Sequence, residues 1–377
     1  MNKASAFTFY FMYFAALAAL MPFLVLYYQQ LGFSGAQIGL LTALSPLISL
    51  VGAPLWTGLA DATRRHRLVL SLAILGALLL ALVFPWFKAF GAVALIVGLF
   101  SFCIAPIVPL SDSATMAMLA GEKASYGRVR LGGTLGWGIA APLVGMLVQA
   151  YGLKLAFWSY SAVMAVALLV GQRFVFGLSV AGVSIRAGLR MLMANRRWVL
   201  FMALAFVGGI GFAAINIYLF AYLEELKADP TMMGIALTIA TLSELPVLFF
   251  ANRLLRRLKA HGLLLLSLGV TGLRMLLYAA FNFPLGVLLV QITNGLTFPA
   301  AWVAGVSYAD ENAPAGLGAT SQGLFGAMVM GIGSAAGGFF GGLLLGSIGA
   351  RGMYLVLGVA VLLGLGLISL IEQRAAK

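Results

Sequence analysis

FVFGLSVAGVSIRAGLRMLMANRR (residues 174–197) divides the chain: it carries Arg186, Arg190, Arg196 and Arg197 between two long apolar tracts. The first tract resolves into apolar runs at roughly 5–31, 35–60, 67–88, 91–120, 126–151 and 153–173. The second resolves into runs at roughly 198–226, 231–256, 262–281, 284–309, 315–346 and 348–372. About 20 apolar residues in a helix cross a hydrocarbon core. The pattern therefore predicts an all-α integral membrane protein with twelve transmembrane helices in two pseudo-symmetric six-helix bundles. The expected bundles are 1–173 and 198–377, joined by a cytoplasmic linker at 174–197.

Composition excludes the soluble alternatives. Of 377 residues, 63% are hydrophobic and 9% charged, against about 25% charged in a soluble domain. Only lipid can replace the core that so much apolar surface would need. After Lys3 the first apolar run passes Leu20 without a small-residue cleavage site, so a retained first span is expected. A lone Cys103 leaves no disulfide framework or cysteine-rich metal site, and His66 and His261 lie in basic loops without a ligand set. The net charge of +13 invites a nucleic-acid reading. The charges, however, alternate between loops instead of forming one stripe. Lys3, Arg64, Arg65, Arg67, Lys123, Arg128, Arg173, the linker arginines, Arg253, Arg256, Arg257, Lys259, Arg374 and Lys377 fall on one side. Lys88, Lys154, Lys227 and Arg351 fall on the other. By the positive-inside rule the first side is cytoplasmic, with both termini there. Asp310 and Glu311 make the one acidic loop on that side.

The halves share a layout. Gly39–Leu70 and Gly234–Leu265 each read as a span followed by a basic loop. The fifth and eleventh spans are both glycine-rich, with Gly132, Gly133, Gly136 and Gly138 in one and Gly337, Gly338, Gly341 and Gly342 in the other. Parallel six-span repeats are a transporter architecture, and small residues let helices approach closely.

Charges inside apolar spans carry the functional signal, since each costs about 2.5–3.5 kcal/mol at a helix centre on insertion scales. Four qualify: Asp112, Arg130, Glu244 and Arg274. Asp112 and Arg130 each lie nine residues from Gly121, hence at equal depth in a hairpin, and Trp137 follows Arg130 by two turns. Glu244 and Arg274 are each fifteen residues from Lys259. Asn216 matches Glu244 in depth about Pro230, and Asn294 matches Arg274 about Pro284. Each acid–arginine combination fits either a structural ion pair or a ligand site. Trp137 beside the first favours a polar ligand with an apolar face. Asn216 and Asn294 fit either a shared cavity or simple helix-to-helix bonding.

The segment Asp112–Gly145, with YGRVRLGGTLGWGIAAPLVG at 126–145, resembles spans four and five of the oligosaccharide/proton symporters of the lactose permease type. It is similar also to the phenylpropionate permeases, all members of the major facilitator superfamily. PIVPLSD (106–112) and YLVLG (354–358) carry the resemblance further. It implies the major facilitator fold, with Asp112 as sugar-binding carboxylate, Arg130 as its partner and Trp137 as stacking ring. Glu244 and Arg274 match the acid of span eight and the arginine of span nine. GLADATRRHR (58–67) resembles the superfamily's signature loop, with Thr57 and Arg64 standing where the family has glycines. The resemblance implies a gating role for Asp61, Arg64, Arg65 and Arg67, with helix-dipole attraction as its physical basis. Where lactose permease has a histidine and a proton-bearing glutamate in span ten, this chain has Asn294 and Thr297, and Gln291 replaces a lysine. A proton as coupling ion is thus an implication of family, with Glu244 its expected carrier and Asp112 the second candidate.

These readings predict a secondary active transporter, not an enzyme, that carries a small polar organic solute inward with a proton by alternating access. A sugar is favoured, with aromatic acids and nucleosides close behind. Rival readings are a proton-driven exporter of amphipathic compounds and a lipid flippase or non-transporting receptor. The expected setting is a bacterial inner membrane, with a monomer, no cofactor, and solute and bilayer as partners. In a Cys103→Ala background, single cysteines placed beside Arg190 and Lys377 should resist an impermeant thiol reagent outside whole cells, while one beside Glu225 is labelled. External labelling beside Arg190 contradicts the two-bundle topology.

Overall fold

The computed structural model describes residues 2–119, 126–176, 192, 194–313 and 318–375. Among the described residues all regular structure is helical, as it must be where backbone groups have no water to bond. The turn expected at Gly121, Lys123, the linker's 177–191 and 193, and Lys377 lie outside the described residues.

The first crossing is α1 (Asn2–Leu20) and α2 (Leu24–Gln30), joined by a tight turn at Pro22. Helix α3 (Gly35–Thr63) starts in a capping box, where Ser34 and Gln37 bond each other's backbone N–H. Then come α4 (His66–Val83), α5 (Phe90–Ile104), α6 (Ile107–Leu119), α7 (Tyr126–Tyr151) and α8 (Lys154–Gly171). The run expected at 91–120 is split into α5 and α6 at Pro106, which has no N–H to continue the ladder. The second half holds α9 (Arg196–Glu225), α10 (Pro230–Phe249), α11 (Ala251–Ala280), α12 (Pro284–Val290), α13 (Phe298–Glu311), α14 (Gly318–Gly326) and α15 (Ser334–Ala375). Eleven segments are long and apolar enough to cross a bilayer, the last being Ser321–Arg374 with 54 residues. Gly349, at φ 72°, breaks that segment in two, which makes twelve crossings. One boundary differs from expectation. The eighth span ends at Phe249 instead of 256, because Arg253, Arg256 and Arg257 belong to a short basic stretch of α11 before its break at Lys259.

The chain forms two compact units, Met1–Val180 with Ala228–Thr238, and Ala181–Lys227 with Ile239–Lys377. The division departs from the expected domain limits in grouping the start of α10 with the first unit. There Thr238 donates to the Gly138 carbonyl at 2.8 Å.

In the first unit α1 packs most extensively on α7, and in the second α9 packs most extensively on α15. The glycine-rich spans explain why. A Cβ at Gly136 would lie 2.1 Å from the Phe11 carbonyl oxygen, and one at Gly337 would lie 2.5 Å from that of Ile210. Both obstacles are backbone and cannot swing away. Gly136→Ala is therefore expected to destabilise the protein by about 1–3 kcal/mol, read as a lower thermal midpoint in detergent. An unchanged midpoint would show that α1 and α7 can separate freely.

Candidate functional site

In the first unit, α6 supplies Asp112, α7 supplies Arg130 and Trp137, and α1 supplies two aromatic rings. Tyr10 donates its hydroxyl to Asp112 Oδ1 at 2.5 Å. The Arg130 guanidinium lies 4.9 Å from the Tyr10 ring centre and 4.3 Å from that of Phe14, cation–π contacts of about 0.5–2 kcal/mol each. Among the described residues no ion pair joins Asp112 to Arg130, and the Arg130 guanidinium makes no hydrogen bond. Of the two readings the sequence left open, a direct ion pair is not formed among the described residues. Depth fixes distance along the bundle, whereas α1, seated tightly on α7, inserts Tyr10 between the two charges. Trp137 is half-buried and stands outside this cluster, with no ring or hydrogen-bond partner among the described residues.

In the second unit the layer assembles around Arg274 on α11, only 2% exposed. Its Nε donates to the Tyr278 hydroxyl at 2.9 Å. Its Nη1 donates to Asn294 Oδ1 at 2.6 Å and to Thr297 Oγ1 at 3.1 Å, and its Nη2 donates to Gln291 Oε1. Four of the five N–H donors of a guanidinium are therefore occupied, all by neutral oxygens. Tyr278 sits one turn beyond Arg274 on the same face. Gln291, Asn294 and Thr297 are spaced by three in sequence, and because Gln291–Leu296 is a 3-10 helix with Thr297 as its C-cap, three residues per turn align these positions on one face. The buried Nε2 of Gln291 is left without an acceptor.

Glu244 does not touch Arg274 directly, so a simple ion pair, one of the two readings the sequence left open, is not formed here among the described residues. Its Oε1 accepts from Asn294 Nδ2 at 2.8 Å, while the other end of that amide accepts from Arg274. Asn294 thereby bridges acid and base. A close backbone approach places it there: a Cβ at Gly295 would stand 2.2 Å from the Ser243 carbonyl oxygen, so the residues flanking this contact, Asn294 and Glu244, meet. Asn216 does not join the layer. It is exposed and bonds the Phe212 carbonyl of its own helix at 2.8 Å.

Sequence reasoning missed Tyr10, Phe14 and Tyr278 as partners and treated Gln291 and Thr297 only as departures. The spacing Arg274–Tyr278 and the threefold spacing around Asn294 were visible signals. Nothing local announces Tyr10. In the signature loop, Asp61 meets His66 at 2.8 Å, and Arg67 donates to the Phe174 carbonyl at 2.9 Å. Arg64 is the left-handed cap of α3 at φ 57°, a conformation that favours glycine. The second histidine, His261, meets Glu372 at 3.1 Å.

Twelve apolar helices with charged side chains held inside each unit define a polytopic membrane transporter. The sequence profile of the MFS_1 like family matches residues 5–356, and the chain belongs to that family. It is 29% identical over 370 residues to the maltose permease of Geobacillus stearothermophilus, an alignment that covers 97% of this chain and 93% of that protein. It is 24% identical over 317 residues to the probable 3-phenylpropionic acid transporter of Escherichia coli K12, covering 79% and 80%. Among solved structures, the nucleoside transporter NupG has a TM-score of 0.87 at 18% identity, covering 98% of this chain and 99% of that one. That last likeness shows the fold alone.

Asn294→Leu removes the bridge and leaves a partly buried carboxylate and a buried guanidinium N–H unmet. It is expected to destabilise the protein by about 1–3 kcal/mol. The double variant with Glu244→Leu should lose less than the sum of the two single changes. Additive losses in thermal or denaturant unfolding would show that the two side chains are independent.

Proposed function

We propose that this family member is a proton-coupled secondary transporter that carries a small polar, hydroxyl-bearing solute inward by alternating access. Asp112, Arg130 and Trp137 bind the solute and Glu244 carries the proton. The observation that supports the solute assignment is the contrast between the two arginines. Arg130 is stacked on two rings but donates no hydrogen bond among the described residues, whereas Arg274 has four donors occupied. A bidentate carboxylate needs two parallel N–H groups from one arginine, which Arg274 no longer offers. One open guanidinium beside one carboxylate suits a sugar hydroxyl array. An aromatic acid seated on Arg130 alone is the second reading, favoured by the Tyr10 and Phe14 rings around it.

Glu244 is the better proton carrier because its neutral amide partner also accepts from Arg274, which links its protonation to the arginine. A carboxyl bonded to an amide takes up a proton without breaking an ion pair. The Asn294 bridge gives Arg274 a route to sense that change. Arg274 and Asn294 complete the proposed polar lining around Glu244 in the second unit. Asp112, held by the Tyr10 hydroxyl, is the second candidate.

Two measurements in proteoliposomes test this. Arg130→Lys keeps the charge but loses the planar fork, and is expected to weaken solute binding at least about tenfold, some 1.4 kcal/mol, in a correctly inserted protein. Glu244→Gln is expected to abolish accumulation driven by a pH gradient yet preserve exchange at equilibrium, which needs no net proton movement. Accumulation by Glu244→Gln at the wild-type level contradicts the proton assignment, and normal binding by Arg130→Lys contradicts the solute assignment.

A further inference from the structure

The turn between α3 and α4, which the family resemblance links to gating, carries a further feature. A cavity of about 490 Å³ is lined there by Arg64, Arg65, His66, Arg67, Ser71 and Gln172, with Leu68 and Phe176 at its edge. It lies within the first unit. His66 is held by Asp61 and stacks on Phe176 at 5.3 Å, while Gln172 donates to Ser71 at 2.8 Å. These contacts fix the walls. The Arg67 side chain has one carbonyl partner, and the side chains of Arg64 and Arg65 have no hydrogen-bond or ion-pair partner among the described residues. The α4 N-terminus opens here without a side-chain cap, which adds positive potential to three arginines. The shared chemistry of ligands for such a pocket is a phosphate group.

A second, independent observation identifies the source of that phosphate. Directly along α4 runs an exposed apolar stripe, Leu68 (48%), Leu72 (49%), Leu75 (40%), Leu79 (48%) and Leu82 (36%). Steps of four and three keep these leucines on one face. By helical rise the stripe spans about 21 Å, more than the roughly 15 Å depth of one leaflet. A free phosphate has no use for this stripe, whereas a phospholipid has a headgroup for the pocket and acyl chains for the leucines. We propose that the α3–α4 pocket binds the phosphate headgroup of an anionic membrane phospholipid, whose acyl chains lie along α4.

The test uses the full-length protein in detergent. Native mass spectrometry would compare retention of palmitoyl-oleoyl phosphatidylglycerol with that of the matching phosphatidylcholine. The expected result is preferential retention of the anionic lipid, weakened about fivefold for each arginine lost in Arg64→Gln and Arg65→Gln. Arg64→Lys with Arg65→Lys keeps the charge and should stay near wild type. Arg253→Gln with Arg256→Gln removes the same charge elsewhere and should leave the preference intact. Equal retention of the two lipids overturns the proposal. So does an equal loss in the Arg253/Arg256 control, which would mean net charge alone attracts the lipid. In a parallel thermal-shift assay, inorganic phosphate or glycerol 3-phosphate should raise the midpoint far less than phosphatidylglycerol. Equal stabilisation by the free phosphates would overturn the lipid assignment.

Discussion

A guanidinium taken into an apolar helix bundle must have its N–H groups met by oxygens, and much of the second unit is organised around that demand. Arg274 is 2% exposed and has no carboxylate in contact. Its needs are met by an aromatic hydroxyl one turn away, by Gln291 and Asn294 of a 3-10 segment and by Thr297 at that segment's C-terminal cap. The change from α to 3-10 geometry at Gln291 follows from this. In an α-helix, positions three apart drift around the axis, and Gln291, Asn294 and Thr297 would not all face one arginine. The close approach at Gly295 completes the arrangement by bringing the segment against α10.

Each unit also interposes a neutral side chain between its acid and its arginine, Tyr10 in the first and Asn294 in the second. A closed ion pair in a low dielectric satisfies itself and is difficult to open. An interposed hydroxyl or amide keeps both charges hydrogen-bonded or stacked while leaving each available to another partner. That is the property a solute or proton site requires, and it arises twice by different chemistry. The amide of Asn294 is polarised from both ends, which strengthens both of its bonds.

The two units reach their interiors by the same packing device. In each, the first helix lies against a glycine-rich partner so closely that backbone meets backbone, at Gly136 and at Gly337. Without a hydrophobic force between helices in lipid, close van der Waals packing of this kind is what holds a bundle together. In the first unit it also does chemical work, because the helix seated on α7 is the one that carries Tyr10 and Phe14. Packing and site geometry are set by the same contact.

The sequence alone determined the class, the number of crossings and the list of charged residues at depth. Apolar run length and loop charge encode these directly, and a fixed rise per residue turns spacing into depth. Spacing does not encode rotation about a helix axis or the local switch from α to 3-10 geometry. Only the tertiary structure therefore decided that Asp112 meets Tyr10 before Arg130, that Glu244 reaches Arg274 through Asn294, and that Asn216 turns to its own helix. Which face a helix presents depends on where a neighbour's backbone can come close. At Gly136 and Gly295 that was settled by atoms far away in the chain.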